Sequence, residues 1–119
     1  MHKEDNSNFW HHLDKLVAES KIIIDRPKGT PHPHYPSNIS PLDYGYLENT
    51  TSMDGGGIDV WQGTDPAQKL DAIICIVDLS KRDSEIKLLI GCTEEEKAIA
   101  HHVHNRYESM KGMLVRREP

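Results

Sequence analysis

The segment AIICIVD, from Ala72 to Asp78, limits the fold of this chain more than any other segment. It is a continuous apolar run of strand length, and such runs are typical of strands that are buried on both faces. The sequence SKRD then makes a tight connection to EIKLLI, whose alternation of polar and apolar residues predicts a hairpin partner. We therefore expect a sheet whose central strands have no solvent-facing side.

The remaining elements follow from local patterns. Residues 8–19 place apolar side chains at helical spacing, and Thr93 with Glu96 matches a capping box that opens a second helix. We expect this second helix to run to about Met110. Further strands are predicted at Lys21–Asp25, Tyr44–Asn49, Ile58–Gln62 and Gly112–Arg117. This order predicts a single small α+β domain, residues 1–119, built around a curled antiparallel sheet.

Residues 26–41, RPKGTPHPHYPSNISP, hold five of the seven prolines. Proline fixes φ and removes a backbone donor, so this segment is neither a helix nor a central strand. Aromatic and apolar residues follow it at once. We interpret the segment as an ordered loop wrapped over the domain.

Composition excludes several classes of protein. The formal charge of −5 argues against nucleic-acid binding, and no apolar run approaches the roughly 20 residues of a membrane span. The N-terminal sequence MHKEDNSNFW lacks the apolar core of a signal peptide, so we expect a cytoplasmic protein. Cys75 and Cys92 lack CxxC spacing, which favours reduced packing residues over a disulfide.

Two aspartate pairs share one spacing. Asp54 and Asp59 flank three consecutive glycines, whose tolerance of positive φ lets the chain turn both carboxylates inward. Asp78 and Asp83 repeat the spacing across the predicted hairpin. Carboxylates are the ligands of Mg²⁺, which is typically held by one or two of them with waters and substrate phosphates. Each pair taken alone also fits the simpler interpretation of aspartates that hydrogen-bond the backbone of their own turns.

Four segments in fixed order carry a resemblance to a known family. They are IIIDRPKGT, PLDYGYL, DGGGIDVW and the Asp78–Asp83 pair, and together they span about Ile22 to Lys87. The chain resembles soluble family I inorganic pyrophosphatases, and most of all a shorter, divergent pyrophosphatase-like subgroup. The resemblance implies a small OB-like five-stranded β-barrel with an N-terminal and a C-terminal helix packed outside. It also implies a homo-oligomer that hydrolyses inorganic diphosphate, or a related phosphoanhydride, with Mg²⁺ or Mn²⁺.

Roles carry over position by position. Asp54, Asp59 and Asp83 match the main metal-binding aspartates of the family. Asp25 and Asp78 match further acidic positions, and either carboxylate could accept the proton of the attacking water. The side chains expected to bind the substrate are Lys28, His34, Tyr44, Arg82, Lys87 and Tyr107.

The chain departs from the family at positions that serve catalysis and substrate binding. Gly56 stands where the family has the aspartate that serves as the base for water, and His34 replaces a substrate-binding lysine. The hairpin that carries a phosphate-binding arginine is missing, and Glu108 follows Tyr107 where a lysine is expected. Two functions therefore stay open: hydrolysis of diphosphate, or a catalytically impaired module that binds metal and phosphate ligands without efficient turnover.

The sequence HHVH places His101, His102 and His104 on the predicted second helix. A structural metal site needs a closed set of ligands, and no cysteine or suitable acidic partner lies nearby in the sequence. We interpret these histidines as a solvated helix face or a subunit contact.

Overall fold

The computed structural model describes residues 4–119. In this part of the chain there are two helices, α1 (Ser7–Ala18) and α2 (Glu94–Val103). The strands are β1 (Ile22–Arg26), β2 (Asp43–Leu47), β3 (Ile58–Gln62), β4 (Leu70–Asp78), β5 (Asp83–Ile90) and β6 (Met110–Arg116). Each strand overlaps a segment in which the sequence pattern predicts one. Neither helix is long and apolar enough to cross a membrane.

The six strands form one open sheet in the order β1-β2-β3-β5-β4-β6. All neighbours are antiparallel except β3 and β5, which pair in parallel through Val60–Gln62 and Leu88–Ile90. The five-stranded closed barrel is therefore wrong in strand number and in closure. Strand β6 pairs with β4 along seven residues and makes one edge of the sheet, while β1 makes the other. The α+β class and the flanking helices agree with the expectation.

Both faces of β4 are buried along most of the strand, as its apolar run predicts, whereas Val77 near its end is 53% exposed. Neighbouring residues of β4 point to opposite faces: Ile73 belongs to the core beneath α1 and Ile74 to the core beneath α2. Strand β5 divides in the same way at Leu88 and Leu89. Trp10 is the buried anchor of α1, and Ala100 is the fully buried residue through which α2 packs on the sheet. Two separate cores thus hold the sheet between the helices.

The second helix begins as predicted and ends earlier. The Thr93 hydroxyl accepts a hydrogen bond from the Glu96 N–H at 3.2 Å, and the Glu96 carboxylate accepts one from the Thr93 N–H at 2.9 Å. The helix ends at Val103, and the Asn105 side chain caps its last turn, since its Nδ2 donates to the His101 carbonyl at 2.8 Å. The predicted end near Met110 is wrong, since that residue already begins β6.

The proline-rich segment is an ordered loop, as expected. Its two arms exchange backbone hydrogen bonds, Gly29 N–H to the Ser40 carbonyl at 2.8 Å and Ser40 N–H to the Thr30 carbonyl at 2.9 Å. The Arg106 guanidinium donates to Asn38 Oδ1 at 2.9 Å. This contact ties the loop to the segment that follows α2 and places it beside the cavity described below.

Candidate active site

A buried lysine lies at the centre of the site. Lys87 of β5 is 7% exposed, and its ammonium donates hydrogen bonds to Tyr44 Oη at 3.0 Å and to the carboxylates of Asp59 and Glu85. Glu85 and Lys87 are two residues apart and therefore lie on the same face of β5. Tyr44 and Asp59 come from β2 and β3, the next two strands of the sheet. Strand pairing alone brings these four side chains together.

Burial and charge act in opposite directions on the pKa of Lys87. Burial by itself lowers the pKa of the ammonium, but the electrostatic and hydrogen-bonding effects of its neighbours, Asp59 and Glu85 among them, outweigh it and raise the pKa above its usual value. Burial raises the pKa of the Tyr44 phenol as well. At neutral pH the site therefore holds a protonated lysine beside a neutral phenol.

Three carboxylates beside this lysine could hold a divalent cation. Asp54, Asp59 and Glu85 each offer one oxygen, and these oxygens all lie within 4.8 Å of one another. The second carboxylate oxygen of Glu85, Oε2, is buried and has no hydrogen-bond partner among the described residues. Clustered carboxylate oxygens with an unsatisfied lone pair fit the chemistry of a hard cation. We call this group the acidic cluster.

The glycine turn positions Asp54 by the local bonding that its sequence also permits. Asp54 Oδ1 accepts hydrogen bonds from the Ser52 hydroxyl at 2.8 Å and from the Gly56 N–H at 2.9 Å. These bonds hold the pKa of the Asp54 carboxyl below its usual value. Gly55 has a φ of 84°, which favours glycine there. Asp54 thus serves the turn and joins the acidic cluster at the same time.

The second aspartate pair behaves differently. Asp78 and Asp83 are opposite each other in the β4–β5 register, and both line the cavity beside Lys87. Asp78 Oδ1 accepts hydrogen bonds from the Ser80 hydroxyl at 2.7 Å, the Ser80 N–H at 2.9 Å and the Lys81 N–H at 3.1 Å. The bonds from Ser80 and Lys81 lower the pKa of Asp78. Asp78 therefore stabilises its own turn and is a weaker base than an ordinary aspartate.

The cavity has a volume of about 220 Å³ and collects about half of the predicted residues. Those that line it are Tyr44, Asp78, Asp83, Lys87 and Tyr107. Asp54 and Asp59 lie beside the cavity, because they belong to the acidic cluster and its third member, Glu85, lines the cavity. The predicted residues that do not line it, all exposed, are Asp25, Lys28, His34 and Arg82. The structure thus gathers the aspartates of the glycine turn and leaves out most of the predicted basic side chains.

A β-bulge explains why Asp25 lies outside the cavity. The register of β1 against β2 runs Ile24 to Gly45 and then Arg26 to Tyr44, so Asp25 is the extra residue. Without the bulge, Asp25 would oppose Tyr44; with it, Arg26 takes that place. The Arg26 guanidinium lies 4.7 Å from the centroid of the Tyr44 ring and lines the cavity.

Sequence reasoning pointed to Lys81 and Lys87 as sources of positive charge, and both line the cavity, but it missed the two arginines there. Arg26 and Arg106 line the cavity, and the Arg106 guanidinium lies 5.3 Å from the centroid of the Tyr107 ring. Glu85 was missed too, although its position two residues before Lys87 was a usable signal, because that spacing places both on one strand face.

His104 corrects the interpretation of the HHVH segment. Its side chain lines the cavity and is buried, 6% exposed, and its Nε2 accepts a hydrogen bond from Trp61 Nε1 at 2.9 Å. Burial, together with the positive charges of Lys87 and Arg106, lowers the pKa of His104 to about 3. The prediction of a solvated face is wrong for this residue, whereas His102 is exposed.

Two solved structures resemble this fold. One is an inorganic pyrophosphatase from Helicobacter pylori, with a TM-score of 0.59 and 14% identity over 85% of each chain. The other, described as an inorganic phosphatase from Anaplasma phagocytophilum, has a TM-score of 0.50 and 11% identity over 80% of this chain and 81% of its own. No family model matches the chain, and no curated protein sequence matches it. The likeness bears out the pyrophosphatase-like fold and, at these identities, concerns the fold alone.

Proposed function

We propose that this protein hydrolyses inorganic diphosphate, or a related phosphoanhydride, with the help of Mg²⁺ or Mn²⁺. The observation that carries the proposal is the acidic cluster, three carboxylate oxygens within 4.8 Å of one another, beside a cavity lined by Arg26, Lys81 and Arg106. Hydrolysis of a phosphoanhydride requires carboxylates that hold a cation and, next to them, side chains that bind the anionic phosphate groups. The pyrophosphatase-like fold supports the same activity.

The cation would be held by Asp54, Asp59 and Glu85, with Asp83 at the cavity wall as a further ligand. A bound divalent cation supplies a more acidic water and neutralises phosphate charge. Arg26 and Arg106 are well suited to hold phosphate oxygens, because guanidinium groups match phosphate geometry with paired hydrogen bonds. Neither arginine forms an ion pair with another described residue, so each has donors to offer.

Glu85 is the best candidate to replace the base that is missing at Gly56. Its Oε2 has no hydrogen-bond partner in the described part of the chain, and it belongs to the acidic cluster. Asp78 already accepts three hydrogen bonds, and the bulge turns Asp25 away from the cavity. We therefore assign the proton-accepting role to Glu85 in preference to those two aspartates.

A second candidate is a module that binds metal and phosphate ligands without efficient turnover. Two observations favour it. Gly56 has no side chain to accept a proton, and loss of a general base typically costs about 10² to 10⁴ in rate. Lys87 also engages two of the three carboxylates that a cation would need.

Phosphate release from diphosphate distinguishes these functions. Wild type with Mg²⁺ or Mn²⁺ should release phosphate above the uncatalysed background, and Asp59→Asn should reduce the rate at least tenfold. Asp25→Asn is the matched control: it removes an equal charge from an exposed aspartate outside the cavity and should leave the rate unchanged. Metal-dependent binding of diphosphate by calorimetry without phosphate release would favour the binding module. Absence of both binding and release would refute both functions.

We also propose that the protein is a cytoplasmic homo-oligomer. Val77, Ile86 and Met113, on the adjacent strands β4, β5 and β6, are exposed by 53%, 37% and 62% and line a shared apolar depression. Apolar side chains grouped on one surface are typical of protein contacts. Light scattering after size exclusion tests the proposal: a mass near 13.5 kDa would contradict it.

A further inference from the structure

We propose that the ammonium of Lys87 is a built-in cation of the acidic cluster, and that a divalent cation binds there by displacing it. The inference rests on the proposed function, because it takes Asp54, Asp59 and Glu85 as the ligands of the cation. It adds a property that the proposed activity does not require: the protein carries its own competitor for the metal.

The hydrogen bonds of Lys87 carry the argument. An ammonium has three N–H donors, and here there are three acceptors: Tyr44 Oη, a carboxylate oxygen of Asp59 and a carboxylate oxygen of Glu85. Two of these acceptors belong to the acidic cluster. With its donors all engaged and only 7% of its surface exposed, Lys87 is fixed between two of the three candidate ligands.

Charge makes the two cations compete. The acidic cluster carries three carboxylates, and the ammonium neutralises part of that charge while it occupies two of them. A divalent cation among the same oxygens would lie only a few Å from the ammonium, where repulsion is strong because the site is partly shielded from water. Binding of the metal therefore requires Lys87 to move away from Asp59 and Glu85.

A purely structural ion pair is the simplest alternative, and the chain contains one for comparison. Lys97 is 5% exposed and donates to Asp71 at 3.1 Å and to Glu94 at 2.6 Å. There the lysine joins α2 to β4, and within residues 4–119 no third carboxylate completes a cluster. Around Lys87, by contrast, Asp54 adds a third carboxylate oxygen within 4.8 Å of those of Asp59 and Glu85. A buried carboxylate oxygen without a hydrogen-bond partner among the described residues occurs in both groups, Asp71 Oδ1 and Glu85 Oε2. The lysine thus bonds two of the three carboxylates of the acidic cluster and neutralises only part of their charge.

Calorimetric titration with Mn²⁺ alone, in the absence of any phosphate, tests the inference. Lys87→Met should bind Mn²⁺ about tenfold more tightly than wild type, or better, because a competing charge is gone. Lys69→Met is the control: it removes the same charge from an exposed lysine outside the cavity, and its affinity should stay within about twofold of wild type. Equal or weaker affinity in Lys87→Met would overturn the inference.

A measurement on wild type covers the case in which Lys87→Met fails to fold. Lysine ammonium groups that are held in hydrogen bonds give resolved ¹⁵N–¹H signals, so that of Lys87 should be visible without metal and should shift or disappear as Mg²⁺ saturates the site. The Lys97 signal serves as the internal reference and should not change. A Lys87 signal that persists unchanged at saturating Mg²⁺ would contradict displacement.

The outcomes separate this inference from the proposed activity. Tighter Mn²⁺ binding by Lys87→Met, together with no phosphate release from diphosphate by wild type, would support the built-in cation and refute hydrolysis. Phosphate release by wild type with no gain of affinity in Lys87→Met would do the reverse.

Discussion

His104 should make the folded protein lose stability as the pH falls from 7 to 5. Its ring packs edge-on against Trp61, with 5.7 Å between ring centroids, and only 6% of the side chain is exposed. Burial lowers the pKa of His104 from 6.5 to about 3, and the nearby Lys87 and Arg106 act in the same direction. The folded protein thus keeps this histidine neutral at a pH where the unfolded chain protonates it.

The sign and size of the effect follow from proton linkage. Between about pH 6.5 and pH 3 the unfolded state binds more protons, so the free energy of unfolding rises with pH in that window. The part of the free energy of unfolding that depends on a neutral His104 is fully present above pH 6.5 and is lost progressively below it. One pH unit is worth about 1.4 kcal/mol, and pH 5 lies about 1.5 units below the unfolded pKa. The lowered pKa of His104 should therefore reduce the free energy of unfolding by about 2 kcal/mol at pH 5.

Urea unfolding followed by far-UV circular dichroism at pH 7 and pH 5 measures this loss. His104→Gln does not titrate and offers an amide oxygen to the Trp61 N–H, so its free energy of unfolding should fall by about 2 kcal/mol less than that of wild type. His102→Gln, at an exposed position in the last turn of α2, should keep the wild-type dependence on pH. Equal losses in wild type and His104→Gln would refute the reasoning.

Three further substitutions test the fold and the site. Gly45→Ala would place a Cβ 1.8 Å from the Ile23 carbonyl oxygen across the β1–β2 pair, so the free energy of unfolding should fall by at least about 1–3 kcal/mol; an unchanged denaturation midpoint would contradict the register. Thr93→Ala removes the observed capping box and should cost about 1 kcal/mol, measured in the same way, whereas Thr93→Ser should retain most of it. Gly56→Asp restores a carboxylate at a position where a Cβ would come within 4 Å of the Asp54 side chain alone, and it should raise phosphate release at least tenfold if a missing base limits turnover. Gly55→Asp is the control: it adds the same charge at the neighbouring position, whose φ is 84°, and should give no such gain.

Local signals predicted the elements well. The capping box of Thr93 and Glu96, the glycine turn after Asp54 and the double-sided burial of β4 all appear in the structure, the last with the exception of the exposed Val77. Each is a property of residues close in sequence, governed by backbone period or by short-range hydrogen bonds. Cys75 and Cys92 are free thiols, in line with the reduced state that their spacing favours.

The sequence alone determined that this chain forms an α+β domain with acidic turns, because strand period, helix caps and glycine turns are encoded over a few residues. Only the tertiary structure decided which side chains meet. A single bulge exchanges Asp25 for Arg26 at the cavity, and the parallel pairing of β3 with β5 brings Asp59 to Lys87 and Glu85. Such choices depend on the register between distant strands, which no local pattern specifies.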